Sequence, residues 1–228
     1  MNHAIIVAGG IGTRMHLDMP KQYYQVKGIP IIMYSFRKFA SHPQIDTIVI
    51  VLADEWRDFV DGFVQKESFH GKVLYAKAGI SRQHSVLSGL KALEGIAGEQ
   101  DVVLVHDSVR PLFQVSSIDD GIQACSEFKA AIPVITVKDA TYQSIDGVML
   151  SAILPRDQLF SGQSPEAFVY GPYLRAHDLF SEDEISQIRG SSELAFRAGL
   201  SVRLIPGTEQ NYKLTTIEDL RAFELTLQ

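Results

Sequence analysis

A short apolar run that ends in closely spaced glycines is the feature that most constrains the fold of this chain. The run extends from Ile5 to Ala8, and three glycines follow it: Gly9, Gly10 and Gly12. Glycine has no Cβ, so backbone N–H groups in such a loop can approach a ligand closely. Arg14 and Lys21 follow on the same loop and add positive charge. The pattern predicts a buried β-strand followed by a loop that binds polyphosphate.

The loop matches neither of the two commonest nucleotide-binding loops. A dinucleotide-binding fingerprint requires a third glycine where this chain has Met15. A P-loop requires Gly-Lys-Ser or Gly-Lys-Thr, and neither tripeptide occurs in the sequence. A glycine-rich turn after a strand is also common in α/β proteins that bind no nucleotide, so the glycines alone leave both interpretations open.

Charge and apolar patterning exclude several classes of partner. The formal net charge of −6 argues against nucleic acid or an anionic membrane surface as the main partner. No apolar run approaches the length of a membrane-spanning helix, and the first strand begins too close to Met1 to leave room for a signal peptide. We therefore expect a cytoplasmic protein. The single cysteine, Cys125, excludes an internal disulfide and is predicted to be a small core residue.

Apolar segments that alternate with helical patterns predict an α/β fold. Strands are predicted near residues 5–8, 47–52, 73–76, 102–105, 130–137 and 201–205, with helices between them. Such alternation favours a mostly parallel central sheet flanked by helices. The length suits one domain of residues 1–228.

A segment of different character lies between Tyr142 and Leu154. Asp146-Gly147 predicts a two-residue turn between short β-like runs, which is typical of a β-hairpin. An isolated hairpin has no core of its own, so it must pack against something else. We expect an arm of about residues 139–156 that contacts a second copy of the chain.

Two further loops carry polar residues after predicted strands. Gly79 and Arg82 follow the third strand, although Ser81 or Ser85 there could act only as a helix cap. Asp107 follows the fourth strand, where one carboxylate can hold Mg²⁺ against phosphate oxygens. An aspartate at such a position is also commonly a turn or cap residue. His106 has no ligand partner at metal spacing and is predicted to be structural.

Six motifs together resemble the cytidylyltransferases of the methylerythritol-phosphate and ribitol-phosphate group. They are Val7-Ala-Gly-Gly-x-Gly-Thr-Arg-Met15, Pro20-Lys-Gln22, Gly79-x-x-Arg82, Val105-His-Asp-Ser-Val-Arg-Pro111, Gly162-Gln-Ser-Pro165 and Asn211-x-Lys-x-Thr-Thr216. The resemblance covers essentially the whole chain. It implies a Rossmann-like nucleotide-diphospho-sugar transferase fold and transfer of CMP from CTP to a polyol phosphate with release of pyrophosphate. It also implies a homodimer joined through the hairpin arm.

The resemblance assigns roles by position. The residues expected to bind the nucleotide are Val7, Ala8, Gly9, Gly10, Gly12, Thr13, Ala78, Gly79, Arg82, Ser85 and Asp107. The residues expected to act on the reacting phosphates are Arg14, Lys21, Arg156 and Lys213. Those expected to line the acceptor site are Arg110, Thr141, Arg156, Ser164 and Lys213. Asp107 would hold Mg²⁺.

The identity of the acceptor is the least determined point. Three segments favour the ribitol-phosphate branch: Ala8-Gly9-Gly10, Ser108-Val109-Arg110-Pro111 and Ser161-Gly-Gln-Ser-Pro165. D-ribitol 5-phosphate is therefore the first expectation, and 2-C-methyl-D-erythritol 4-phosphate is the second. The family pattern leads us to expect Thr-Asp where this chain has Ser191-Ser192, which leaves a different polyol open.

Two other functional interpretations remain open at this point. The glycine loop is shared by nucleotidyltransferases that use UTP or GTP with a sugar 1-phosphate. The Ser191-Ser192 departure alone favours a nucleotide-binding protein that has lost turnover.

Overall fold

The computed structural model describes residues 1–10 and 18–227. Its strands are β1 (Asn2–Val7), β2 (Gln25–Val26), β3 (Ile29–Pro30), β4 (Thr47–Leu52), β5 (Lys72–Lys77), β6 (Val102–Asp107), β7 (Ala130–Thr136), β8 (Thr141–Gln143), β9 (Ala152–Leu154), β10 (Phe160–Gly162), β11 (Glu166–Val169) and β12 (Val202–Pro206). Its α-helices are α1 (Ile31–Ala40), α2 (Arg57–Val64), α3 (Arg82–Lys91), α4 (Ser116–Ala124), α5 (Tyr170–Ala176), α6 (Glu182–Gln187), α7 (Ser191–Arg197) and α8 (Ile217–Thr226). Short 3-10 helices lie at Lys21–Tyr23, Asp54–Trp56, Arg156–Gln158 and His177–Leu179.

Eight of these strands form one mostly parallel sheet. Its order is β10-β7-β11-β6-β1-β4-β5, and β12 pairs with β7 in parallel. The neighbours β6, β1, β4 and β5 are all parallel to one another. Strand β11 lies antiparallel between β6 and β7, and β10 is also antiparallel to β7. The predicted α/β class and parallel sheet are confirmed, while the antiparallel β10 and β11 were not predicted.

The core lies on both faces of this sheet, because successive strand side chains point to opposite sides. On one face, Ile6 belongs to a fully buried cluster with Phe36 and Phe39 of α1, which α2 and α4 extend. On the other face, Ile5 is clustered with Leu90 of α3, together with residues of α5 and α7. Burial of each such side chain contributes about 1.5–3 kcal/mol. The two helical layers hold the carboxyl ends of β1 and β6 in fixed positions.

Serine and threonine side chains cap the first turns of two helices. Ser81 caps α3 by accepting a hydrogen bond from the backbone N–H of His84. Thr216 and Asp219 form a capping box at the start of α8. Cys125 is buried at the end of α4, and burial raises the pKa of its thiol to about 12. The prediction of Cys125 as a core residue is therefore confirmed.

The predicted hairpin is present but its turn is different. Strands β8 and β9 pair antiparallel, and residues 144–151 connect them. The expectation of a two-residue turn at Asp146-Gly147 is wrong. The Asp146 carboxylate instead accepts hydrogen bonds from the backbone N–H groups of Val148 and Met149, and this stabilises a longer loop in which Gly147 adopts φ 76°.

No helix within residues 1–10 and 18–227 is long and apolar enough to cross a membrane. The longest helices in these ranges, α1, α3 and α8, have ten residues each. A membrane-spanning helix requires about 20.

Candidate active site

Two cavities meet at the carboxyl ends of β1 and β6. The larger cavity has a volume of about 520 Å³ and is lined by Val7, Gly9, Gly10, Lys21, Gln22, Gly79, Ile80, Ser81, Arg82, Ser85, Asp107, Ser108, Val109 and Lys213. The smaller cavity has a volume of about 250 Å³ and is lined by Arg82, Asp107, Arg110, Ile132, Gly162, Gln163, Ser164, Glu166, Arg189, Gly190 and Lys213. Three residues, Arg82, Asp107 and Lys213, line both cavities. Groups bound in the two cavities therefore face the same three side chains.

Glycines form one wall of the larger cavity because two loops approach closely there. A Cβ added to Gly9 would overlap the Cβ of Ala78, so only glycine fits at this contact. A Cβ added to Gly79 would likewise overlap the Cβ of His84. The N–H of Gly79 donates to Ser85 Oγ over 3.0 Å, which fixes the turn into α3. This wall has the close-packed backbone expected of a phosphate or nucleotide cradle.

Gln22 fixes the carbonyl groups of the first glycine loop. Its Nε2 atom donates to the carbonyls of Ala8 and Gly10, each over 2.6 Å. The hydroxyl of Tyr23 also donates to the Ala8 carbonyl over 2.8 Å. Because the carbonyls are bound from behind, the loop backbone is held in one conformation beside the cavity.

Asp107 lies where the two cavities join, and three cationic side chains surround its carboxylate. Its Oδ1 atom accepts from Arg82 Nε over 2.9 Å, and its Oδ2 atom accepts from Lys213 Nζ over 2.8 Å. Arg110 Nε lies 3.9 Å from the same Oδ2. Burial alone would raise the pKa of Asp107, but the charges of Arg82, Lys213 and Arg110 outweigh it and hold the pKa well below its usual range. The carboxylate therefore stays ionised at any physiological pH.

Arg82, at the start of α3, contacts side chains of β6, β11 and α7. Its guanidinium donates to Asp107, to Glu166 Oε1 over 3.1 Å and to Ser191 Oγ over 2.7 Å. Burial disfavours its charged form, but Asp107 and Glu166 raise the pKa of Arg82 above its ordinary value. The other oxygen of Glu166 accepts from the N–H of Ser192 over 2.8 Å and from its hydroxyl over 2.6 Å. Ser191 and Ser192 thus connect α7 to the junction of the cavities.

A buried chain of hydrogen bonds supports the smaller cavity from behind. Ser164 Oγ accepts from the N–H of Asp107 over 3.1 Å and lies 3.1 Å from Nδ1 of His106. Nε2 of the same ring lies 3.1 Å from Ser35 Oγ, so each ring nitrogen contacts one serine hydroxyl. Burial lowers the pKa of His106 to about 3, so the ring is neutral. The prediction of His106 as a structural residue is confirmed.

Lys21 and Lys213 lie on segments that are bonded to each other. Lys21 is buried, and its Nζ donates to the carbonyl of Leu214 over 2.7 Å. The carbonyl of Asn211 accepts from Arg110 Nη1 over 2.6 Å. These contacts hold the segment from Asn211 to Leu214 against the first loop and place both lysines in the larger cavity.

The structure brings most of the predicted residues together but not all of them. The predicted residues that line one or both cavities are Val7, Gly9, Gly10, Lys21, Gly79, Arg82, Ser85, Asp107, Arg110, Ser164 and Lys213. Ala8 and Ala78 lie directly behind the glycine wall. Thr141 and Arg156 belong to the arm and line neither cavity, and Arg156 Nη1 donates to the carbonyl of Lys138 over 3.0 Å. Gly12, Thr13 and Arg14 lie outside the described residues.

Several lining residues were given no role from the sequence, among them Gln22, Glu166 and Arg189. Gln22 had a signal, since it belongs to the Pro20-Lys-Gln22 motif. Glu166 and Arg189 had none, because their places at the smaller cavity depend on how β11 pairs with β6 and on how α7 packs against the sheet.

The carboxylates at the cavities fit a magnesium ion only together with a phosphorylated ligand. Within the described part of the chain, no cluster of three or more His, Cys, Asp or Glu side chains could hold a metal ion. Magnesium that acts on phosphates needs one or two carboxylates, because phosphate oxygens and water complete its octahedron. Asp107 offers one carboxylate that remains ionised.

Comparison with known proteins agrees with this geometry. The family described as 2-C-methyl-D-erythritol 4-phosphate cytidylyltransferase (IspD) matches residues 2–228. A protein of that name from Clostridium novyi is 35% identical over 100% of this chain and 96% of its own. A ribitol-5-phosphate cytidylyltransferase from Streptococcus agalactiae serotype V is 29% identical over 98% of this chain and 94% of its own.

A solved structure supports the same conclusion at the level of the fold. The crystal structure of 4-diphosphocytidyl-2C-methyl-D-erythritol synthase from Anaerococcus prevotii superposes with a TM-score of 0.83 at 26% identity, covering 100% of this chain and 96% of that one. With the family match over residues 2–228, these findings show that the chain belongs to the IspD family of cytidylyltransferases, which are nucleotidyltransferases.

Proposed function

We propose that this protein transfers CMP from CTP to a polyol phosphate. One observation carries the proposal: Arg82, Asp107 and Lys213 line both cavities, so two phosphorylated ligands would meet at one charged junction. CTP would occupy the larger cavity beside the glycine wall, and the acceptor would occupy the smaller one. An oxygen of the acceptor phosphate forms a bond to the α-phosphorus of CTP, the bond between the α- and β-phosphates breaks, and pyrophosphate leaves.

This chemistry needs alignment and charge more than it needs a base. A phosphate monoester is already ionised at neutral pH and is an adequate nucleophile, so no proton must be removed from it. The barrier lies in bringing two polyanions together in line. Fixed cations that offset their repulsion stabilise the transition state. Lys21, Arg82 and Lys213 supply such cations at the larger cavity, and Arg110 supplies one at the smaller cavity.

The proposal includes Mg²⁺ as a cofactor, with Asp107 as its protein ligand. When bound, the ion would neutralise charge on the phosphate oxygens. Asp107 would then exchange its ion pairs with Arg82 and Lys213 for the metal, and both cations would become available to the phosphates of the two ligands.

The names of the relatives and the sequence motifs favour two different acceptors. Three relatives that are 33–35% identical are named for 2-C-methyl-D-erythritol 4-phosphate, which makes this compound the first candidate. The segments around Gly9, Ser108 and Ser164 favoured D-ribitol 5-phosphate, and a relative at 29% identity is named for that acceptor. It is therefore the second candidate.

We also propose that the β8–β9 arm joins two copies of the chain. Six apolar residues on or beside this hairpin are more than half exposed: Tyr142, Ile145, Val148, Met149, Leu150 and Ile153. Exposed apolar side chains at this density favour a contact with another surface. Thr141 and Arg156, which the resemblance assigns to the acceptor site, lie on the same arm, and a dimer joined through it would allow them to reach the acceptor site of the other copy.

Measurement of pyrophosphate release tests the catalytic proposal. The protein is incubated with CTP, Mg²⁺ and each of the two acceptors in turn, with glycerol 3-phosphate and a sugar 1-phosphate for comparison. We expect release with one of the two candidate acceptors and a kcat/KM at least tenfold higher than with the comparison compounds. Absence of release with every acceptor would contradict the proposal.

Melting temperatures measured with each of four nucleotides test whether the protein prefers CTP. A ligand that binds the folded state raises the melting temperature by mass action. We expect CTP to raise it most, and UTP, GTP and ATP to have smaller effects. Equal shifts with UTP or GTP would favour a sugar-nucleotide transferase instead.

A further inference from the structure

The smaller cavity carries more positive than negative charge. Four cationic side chains line it, Arg82, Arg110, Arg189 and Lys213, together with two carboxylates, Asp107 and Glu166. The lining therefore has a formal excess of two positive charges. A phosphate monoester carries close to two negative charges at neutral pH, because its second pKa is about 6. The formal charge of the cavity thus complements one phosphate dianion.

Each oxygen of the two carboxylates accepts a hydrogen bond from another group of the protein. The two oxygens of Asp107 accept from Arg82 and Lys213. Those of Glu166 accept from Arg82 and from Ser192. The charge of each acid is therefore already offset by donors of the protein itself.

Arg189 differs from the other cations in its partners. Its backbone N–H donates to Glu193 Oε2 over 2.9 Å, and the second oxygen of Glu193 lies 3.7 Å from Arg197 Nη1. Its guanidinium is exposed at the cavity and makes no ion pair or hydrogen bond with any residue in the described ranges. The backbone is therefore anchored while the charged end of the side chain stays available to a ligand.

We propose that Arg189 binds the phosphate of the acceptor and so helps to select it, an inference that rests on the proposed function. A guanidinium binds two phosphate oxygens in parallel, whereas a lysine offers a point charge. Arg189 offers this two-point contact from the same chain that carries Asp107 and Lys213. Recognition of the acceptor phosphate thus has a component that does not depend on the arm residue Arg156.

Steady-state kinetics of Arg189→Ala and Arg189→Lys test this role. The loss of one charge-assisted bidentate contact should raise the acceptor KM roughly 10- to 100-fold in Arg189→Ala. The KM for CTP should change less than twofold, because Arg189 does not line the larger cavity. Arg189→Lys should recover part of the loss. Inorganic phosphate, as a competitor of the acceptor, should show a raised inhibition constant in Arg189→Ala.

Arg221→Ala is the matched control. Arg221 is exposed on α8 and lines neither cavity, so its removal should leave both KM values unchanged. Melting temperatures of all variants should equal that of the unmodified protein, since an exposed arginine contributes little to folding. An acceptor KM within twofold of the unmodified value in Arg189→Ala, or an equal rise in both KM values, would overturn the role of Arg189. Failure of the unmodified protein to release pyrophosphate would instead overturn the proposed function.

Discussion

The Nζ atom of Lys213 lies 2.8 Å from Oδ2 of Asp107, and this ion pair joins residues 106 positions apart in the chain. Asp107 ends the central strand β6, whereas Lys213 lies in the irregular segment before α8. The pair therefore fixes an irregular segment against the end of a buried strand. It also places one cation at the entrance to both cavities.

Replacement of Lys213 should affect turnover far more than stability. Loss of a cation that faces developing charge costs about 100- to 1,000-fold in kcat. The Lys213 side chain is 38% exposed, so its ion pair contributes about 1 kcal/mol or less to folding. Lys213→Met is assayed for pyrophosphate release and for its free energy of unfolding. Lys138→Met is the control, because Lys138 is exposed and pairs with Glu209 outside both cavities. Equal loss of kcat in both variants would contradict the assignment.

Asp107 should contribute stability that depends on pH. Its removal in Asp107→Asn leaves Arg82, Arg110 and Lys213 mutually repelling, at a cost of about 3 kcal/mol in the free energy of unfolding at pH 7. Because the pKa of Asp107 is lowered in the folded state, this contribution is complete above the unfolded pKa of about 4 and is lost as the pH falls below it.

Urea unfolding at several pH values measures this contribution. The difference in stability between the unmodified protein and Asp107→Asn should be constant from pH 7 to 5 and should narrow below about pH 4. Glu209→Gln, at an exposed ion pair, should show little difference at any pH. A difference that widens toward low pH would rule out a lowered pKa at Asp107.

The glycine wall should not tolerate a side chain at position 9. In Gly9→Ala the new Cβ would overlap Ala78, so the two loops must separate and the larger cavity must change shape. We expect the Kd for CTP to rise at least tenfold, as measured by calorimetry. Gly62→Ala is the control, because Gly62 lies in α2 outside both cavities and its Cβ would meet no described atom within 4 Å. A Kd for CTP that changes as much in Gly62→Ala as in Gly9→Ala would show that packing between the loops is not the cause.

His106 should make the protein less stable in mild acid. Burial lowers its pKa to about 3, so between about pH 6.5 and 3 the unfolded chain binds a proton there that the folded chain does not. Stability should therefore fall as pH decreases through this range, by up to about 1.4 kcal/mol per pH unit from this residue.

His106→Leu removes this pH dependence and breaks two hydrogen bonds. The hydroxyls of Ser35 and Ser164 lose their shared partner, at a cost of about 3 kcal/mol at pH 7. The gap in stability between the two proteins should shrink as pH falls from about 6.5. Burial also lowers the pKa values of His3 and His177, so the comparison must use the difference between the proteins and not either curve alone. A constant gap would contradict a neutral, buried His106.

The arm proposal predicts the oligomeric state. The unmodified protein should be a dimer at micromolar concentration in analytical ultracentrifugation. Ile145→Asp combined with Ile153→Asp should give a folded monomer, because charge would replace two exposed apolar side chains of the hairpin. Leu225→Asp is the control, since Leu225 is an exposed apolar residue on α8, far along the chain from the arm. A monomeric unmodified protein would contradict the proposal.

The sequence by itself determined the alternation of six strands with helices, the glycine-rich loop after β1 and the position of Asp107 at the end of β6. These features depend on apolar periodicity, on the absence of a Cβ and on strand ends, all of which act among close neighbours in the chain. Local patterns also indicated Lys21 and Arg82, and motif resemblance added Lys213; the structure brings these three residues to the same site.

Only the tertiary structure decided which charges face one another. The antiparallel insertion of β11 beside β6 places Glu166 next to Arg82, and the packing of α7 places Arg189 at the smaller cavity. Nothing local to Glu166 or Arg189 distinguishes them from other surface charges in the sequence. Their roles follow from contacts between distant segments, which depend on strand order and on the reach of side chains across the sheet edge.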